Sequence, residues 1–184
     1  FGSAVRHVTF VRAGPCYVCT GTALTDPDPA TTIPWFLTAN HCIAKAAGAA
    51  SLEVFWDYAA SGCGGSIPSL ASRPRTSGSV IAATSSVTDF TLLRLTGTVP
   101  SGRTYAGWTT EVPLVGAAIA GVHHPEGSFL RASVGTVTAQ DGAYHDVRWT
   151  SGVTEPGSSG SPLIDGDGLV IGQLCCGESS SSSP

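Results

Sequence analysis

Punctuation is what most limits the fold of this chain. Gly, Pro, Ser and Asp recur every few residues, and the short runs between them are rich in Val, Ile, Thr, Phe and Trp. Runs of that length and make-up suit strands, because a helix standing alone needs a dozen or more uninterrupted residues. The spacing predicts strands at Val5 to Val11, Tyr17 to Leu24, Trp35 to Thr38, Leu52 to Tyr58, Ser79 to Thr84 and Phe90 to Leu95. A second set is expected at Ala117 to His123, Phe129 to Val137, His145 to Trp149, Pro162 to Ile164 and Leu169 to Leu174. The one helix-like stretch of the first half, Cys42 to Ala47, is read as a single turn. An all-β chain of two six-stranded antiparallel β-barrels fits this inventory. Gly97, Pro100, Ser101 and Gly102 mark the link between them. An N-terminal barrel is therefore expected over residues 1–100, a C-terminal barrel over 101–178 and a serine-rich, solvated tail over 179–184.

The 184 residues, 42 % of them apolar, are enough to bury a core. Only 12 % are charged, and the net charge of −4 is spread thinly. No basic stripe exists to hold a phosphate backbone, which excludes nucleic acid as a partner. The longest apolar runs, such as Val115 to Val122, are too short and too glycine-interrupted to cross a bilayer. Six cysteines in a Ser-, Thr- and Gly-rich chain point to an oxidising compartment, hence to export. The sequence has no methionine, so Phe1 is not a translation start and a leader is expected ahead of it. Cys16 and Cys19 form a C-x-x-C with no second pair at zinc spacing, so no metal is expected.

The strongest chemical signal is Glu155-Pro156-Gly157-Ser158-Ser159-Gly160-Ser161-Pro162, a glycine-flanked turn that presents one hydroxyl outward. Gly157 lets the backbone bend so that the N–H groups of Gly157 and Ser159 aim at one point. Such a pair stabilises a developing oxyanion by roughly 3 to 4 kcal/mol per donor. Taken alone, a Gly/Ser cluster reads equally well as a plain loop. A serine nucleophile also needs an imidazole to take its proton and a carboxylate to hold that imidazole in the right tautomer. His41 ends the apolar run Trp35-Phe36-Leu37-Thr38-Ala39-Asn40, where a buried strand emerges at a rim. Asp89 opens the apolar segment Phe90-Thr91-Leu92-Leu93, where a carboxylate is costly unless hydrogen-bonded, and His41 is the obvious partner. Without His41, Asp89 would read as a turn residue at a strand start.

The order His, Asp, Ser with the motifs TANHC, DFTLL and PGSSGSP resembles the trypsin-like peptidases, and among them the bacterial lysyl endopeptidases. The likeness continues through TGTAL, VFWDY, HHP, SGVTEPGSSGSP and IGQL, nearly the whole length. It implies a chymotrypsin-like double β-barrel with the cleft between barrels and polypeptide substrates for a monomeric secreted enzyme that needs no cofactor. Its catalytic residues are then His41, Asp89 and Ser159, with Gly157 and Ser159 forming the oxyanion hole. It also implies a Cys19 to Cys42 disulfide anchoring the histidine loop, and a second barrel left incomplete at its C-terminal end. Cys63 matches a cysteine paired near the N-terminus in that family. Cys16, Cys175 and Cys176 have no counterpart, and a bond from one of them to Cys63 is expected ahead of a vicinal Cys175 to Cys176 bond.

The sequence also departs from the pattern. Trypsin-type zymogens carry an aspartate before the nucleophile to receive a new N-terminal amine, and here that position is Ser158. The charge that selects Lys or Arg six residues before the nucleophile is replaced by Val153. Glu155, Cys175 and Gly177 complete the candidate pocket residues, and preference for lysine is an expectation from the resemblance alone. His123 and His124 read as structural or cleft-lining, because neighbours on a strand face opposite ways; His7 and His145 read as solvated. Two other readings compete: a catalytically silent binding module that kept the fold, and an inactive truncated fragment. An α/β-hydrolase esterase fails, since the turn lacks the closing glycine of G-x-S-x-G and the chain order would need His last.

Overall fold

A computed structural model describes residues 3–11 and 14–179. Its twelve strands are β1 (Val5–Val11), β2 (Cys16–Leu24), β3 (Trp35–Ala39), β4 (Glu53–Phe55), β5 (Arg75–Ser77), β6 (Ser79–Ser85), β7 (Phe90–Leu95), β8 (Ala118–His123), β9 (Arg131–Gln140), β10 (His145–Ser151), β11 (Pro162–Ile164) and β12 (Val170–Gln173). One short helix, α1 (Ala46–Ala50), follows the turn after His41 and sits further along than the predicted turn.

Two antiparallel sheets carry these strands. One has seven strands in the order β5-β4-β1-β2-β3-β7-β6, and the other five in the order β10-β9-β8-β11-β12. The strand counts thus differ from six and six, while the all-β double-barrel architecture stands. The edge strands β5 and β6 of the larger sheet are joined through Gly78 alone, at φ 82°, so its two edges return to a single turn. A core of Val8, Phe10, Phe36, Ile43, Leu52, Val54, Trp56 and Leu93 fills it. The smaller sheet packs Ile119, Val137 and Trp149 on one side. Gly121 makes room there, since a Cβ at that position would lie 2.9 Å from the Trp149 ring. The segment after Ser101 straps both sheets, with Ala106 bridging to Leu24 and Trp108 to Val170.

β1 overturns one expectation. His7 is buried, at 1 % exposure, with its ring among Phe55, Tyr58 and His124. The strand pairs with β2 and β4 and also packs against β8 of the second sheet, so both of its faces are covered from Val5 to Val8. The neighbouring Arg6 is buried too, its guanidinium 4.4 Å from the Trp56 ring.

Cys19 and Cys42 are bonded, with Cα atoms 6.6 Å apart. Cys175 and Cys176 are bonded to each other, which corrects the expectation that ranked this pairing last. Cys63 and Cys16 are exposed and free, so neither closes a bond to Cys175 or Cys176. Of the tail, residues 180–184 lie outside the described residues.

Candidate active site

β3 and β7 lie side by side, with Ala39 opposite Phe90, and this register delivers His41 and Asp89 to the same rim. The His41 backbone N–H donates to Asp89 Oδ1 at 2.8 Å, and Nδ1 donates to Oδ2 at 2.7 Å. A carboxylate only accepts, so the short Nδ1 contact fixes the neutral ring as the Nδ1–H tautomer and leaves Nε2 with a lone pair. The Asp89 side chain is 15 % exposed and that of His41 46 %, so the carboxylate sits behind the imidazole and the imidazole faces the solvent side. Asp89 itself adopts φ 49°, rare outside glycine. Its carbonyl is held by the Asn40 N–H and by Gln173 Nε2 of β12, each at 2.8 Å.

Ser159 arrives from the other sheet. The turn before it bends at Gly157, φ 92°, where a Cβ would meet the His124 carbonyl at 3.1 Å and the Glu126 nitrogen at 3.2 Å. Just past it, a Cβ on Gly160 would lie 2.4 Å from both the Thr20 carbonyl and Thr38 Oγ1. Glycine at 160 is therefore the condition for bringing the serine turn against β2 and β3. Thr20 stitches the seam: its N–H donates to the Ser159 carbonyl at 2.9 Å, and its hydroxyl donates to the Gly157 carbonyl at 2.9 Å.

Behind the turn lies a buried polar set. Ser158 Oγ accepts the Glu155 N–H at 3.2 Å and lies 2.9 Å from His123 Nδ1. His123 Nε2 lies 3.1 Å from Ser133 Oγ, which donates to the Val153 carbonyl at 3.1 Å. His124 stacks on Tyr58 with ring centroids 5.9 Å apart. Both HHP histidines are buried, at 1 % exposure each.

A cleft of about 980 Å³ opens beside the turn. Cys175 and Gly177 line it, whereas Val153 and Glu155 lie outside its walls. Trp108, Tyr144 and Trp149 form aromatic wall, and Asp141, Asp146 and Glu178 contribute carboxylates. No Lys or Arg lines it among the described residues.

The only described grouping of metal-ligand atoms is Cys19, His41 and Cys42. Both sulfurs are engaged in a disulfide and offer no thiolate, so the residues do not fit a metal. Sequence reasoning missed Thr20, Ser133 and Gln173. Their roles depend on contacts across the fold, and only the paired histidines of HHP hinted at the polar set behind the turn.

The two sheets meeting at a histidine, aspartate and serine seam define the chymotrypsin-like class of serine-protease folds. Solved structures agree on the fold. A serine-to-alanine variant of the HtrA-type protease AlgW, solved with a tripeptide, superposes with a TM-score of 0.66 at 16 % identity, over 99 % of this chain and 55 % of that one. A protease from M. tuberculosis in its active form gives 0.63 at 17 % identity, over 96 % of this chain and 71 % of that one. Within this class the chain belongs to the lysyl endopeptidase C-terminal domain family, whose model matches residues 2–184. It is 33 % identical over 197 residues to the lysyl endopeptidase of Pseudomonas aeruginosa. That alignment covers 99 % of this chain and 42 % of the relative, so the chain spans less than half of that protein's length.

Proposed function

We propose that this chain is the catalytic unit of a secreted, monomeric serine endopeptidase that works through an acyl-enzyme on polypeptide substrates. The observation that carries the reading is the 2.7 Å His41 to Asp89 pair at the rim that the Gly157 to Gly160 turn abuts. Asp89 holds His41 as the Nδ1–H tautomer, so Nε2 is the base. Ser159 Oγ gives its proton to Nε2 as it attacks the scissile carbonyl, and the same proton is then passed to the leaving amine. The N–H groups of Gly157 and Ser159 receive the oxyanion. A water, deprotonated by His41, releases the acyl group. The steps use only these side chains and backbone groups.

We further propose a preference for a cationic side chain, lysine above all, before the cut. The relative's name points to lysine, and Asp141, Asp146 and Glu178 line a cleft with no described Lys or Arg. Export is supported by the Cys19 to Cys42 disulfide, and no helix among the described residues is long and apolar enough to cross a membrane.

The test is a cleavage profile on a mixed peptide library with the wild type and Ser159→Ala. Cuts after Lys that vanish in the variant are the expected result. Cuts that persist in the variant, or a folded wild type that neither cuts nor takes a fluorophosphonate on Ser159, overturn the endopeptidase reading. Cuts after apolar residues overturn the lysine preference alone.

A further inference from the structure

Ser158, His123 and Ser133 are 0 %, 1 % and 1 % exposed, and the proposed catalytic steps use none of them. Their hydrogen bonds can be oriented atom by atom. The Val153 carbonyl only accepts, so Ser133 Oγ–H is the donor of that 3.1 Å contact. The one Ser133 proton is thereby engaged, and the hydroxyl must accept from His123 Nε2–H. A neutral imidazole with its proton on Nε2 has a lone pair on Nδ1, which takes the Ser158 Oγ–H at 2.9 Å. Ser158 Oγ in turn accepts the Glu155 N–H. One tautomer satisfies every donor, and burial holds the ring neutral by pushing His123 down to about 4, with the nearby Arg131 acting in the same direction.

Both ends of this relay are backbone groups of one loop, the Val153 carbonyl and the Glu155 N–H, one on each side of Thr154. Its middle is anchored on two strands, His123 at the end of β8 and Ser133 in β9. The residue it grips, Ser158, lies between Gly157 and Ser159, whose N–H groups form the proposed oxyanion hole. The Ser158 N–H also donates to the Glu155 carbonyl at 2.9 Å, and its carbonyl accepts the Ser161 N–H at 3.0 Å, so the side-chain relay fixes a turn already closed by backbone.

We propose that His123 is a positioning residue: through Ser158 it sets the oxyanion turn in its working geometry by means of an uncharged, buried clamp. The inference rests on the endopeptidase reading. It assigns the residue before the nucleophile a neutral hydroxyl relay in place of an ion pair, built wholly within residues 123–158.

The test uses the whole chain and four variants: His123→Leu, His123→Asn, Ser158→Ala and Ser159→Ala. Asn keeps an acceptor near the Nδ1 position; Leu removes it. His123→Leu and Ser158→Ala are expected to lower kcat by about 10²-fold, the scale of one lost oxyanion donor, with KM within about threefold. Inhibition by a peptide aldehyde, whose adduct carries the oxyanion, should weaken by a similar factor, and His123→Asn should recover about tenfold. Unchanged kcat and aldehyde affinity in folded variants, whatever their Tm, overturn the clamp. If the variants do not fold, the ¹⁵N spectrum of the wild-type imidazoles decides: a neutral Nε2–H ring for His123 at neutral pH supports the clamp, and an Nδ1–H or charged ring overturns it. A wild type as inert as Ser159→Ala sinks the endopeptidase reading, while the imidazole spectrum still reports on the relay.

Discussion

Asp89 sits with a left-handed backbone, its two carboxylate oxygens on one histidine and its carbonyl gripped from both sheets. Replacing it by Asn preserves that shape but offers an amide where an acceptor is needed, so His41 is driven into the wrong tautomer. A fall in kcat of about 10⁴-fold with an unchanged melting curve is expected for Asp89→Asn, read by steady-state kinetics and circular dichroism. Gly160 fails in a different way. A methyl there collides with the Thr20 carbonyl, Thr38 Oγ1 and the Ala39 nitrogen at 2.8 Å, and φ 82° already disfavours alanine. Gly160→Ala should therefore lose stability by several kcal/mol and activity with it, checked by urea unfolding. The candidate triad was legible in the sequence because each member sits beside a motif with a mechanical reason. Gln173 and Thr20 were not, since a glutamine on an apolar strand and a threonine in TGTAL carry no mark of the partner they meet 84 and 137 residues away.

Strands were legible wherever apolar β-formers met turn residues, so β1, β7 and β11 begin and end where the pattern says. β5 was missed because Arg75-Thr76-Ser77 has no apolar residue, and its pairing to β4 supplies what its side chains do not. β4 ends at Phe55, short of the predicted Tyr58, because Trp56 falls opposite Pro74, which has no N–H to return a ladder bond, and Asp57 adopts φ 62°. The error at His7 has a consequence for β1 and β8 together. Burial pushes His7 and His123 to about 4 and His124 to about 3. All are neutral in the folded chain, whereas an unfolded histidine takes its proton near 6.5. The unfolded state thus binds more protons between about 4 and 6.5, so this stability is intact above 6.5 and drains away as the pH falls toward about 4. Denaturant midpoints measured from pH 7 to pH 4 should drop steadily, and His7→Phe should flatten that slope. An unchanged slope would place the burden on other groups.

At the scale of the molecule, the candidate catalytic residues are divided between the sheets, with His41 and Asp89 at the rim of β3 and β7 and Ser159 just before β11. The seam is narrow and polar: Thr20 gives Ser159 and Gly157 a hydrogen bond each, and its hydroxyl accepts the buried His124 N–H at 3.0 Å. Thr20→Val keeps the shape and removes the hydroxyl, stranding the His124 N–H. A cost on the order of 1–3 kcal/mol is expected, with a larger proportional loss of kcat than of secondary structure, since the docking geometry suffers before either sheet does. The same division bears on how such a chain is made. A half-finished polypeptide that has built its first sheet holds His41 and Asp89 but not Ser159, and one whose second sheet has formed undocked holds Ser159 out of reach of His41. If the proposed function holds, the cutting edge is assembled only by the closing of the last seam, and an incomplete molecule spares itself and its neighbours.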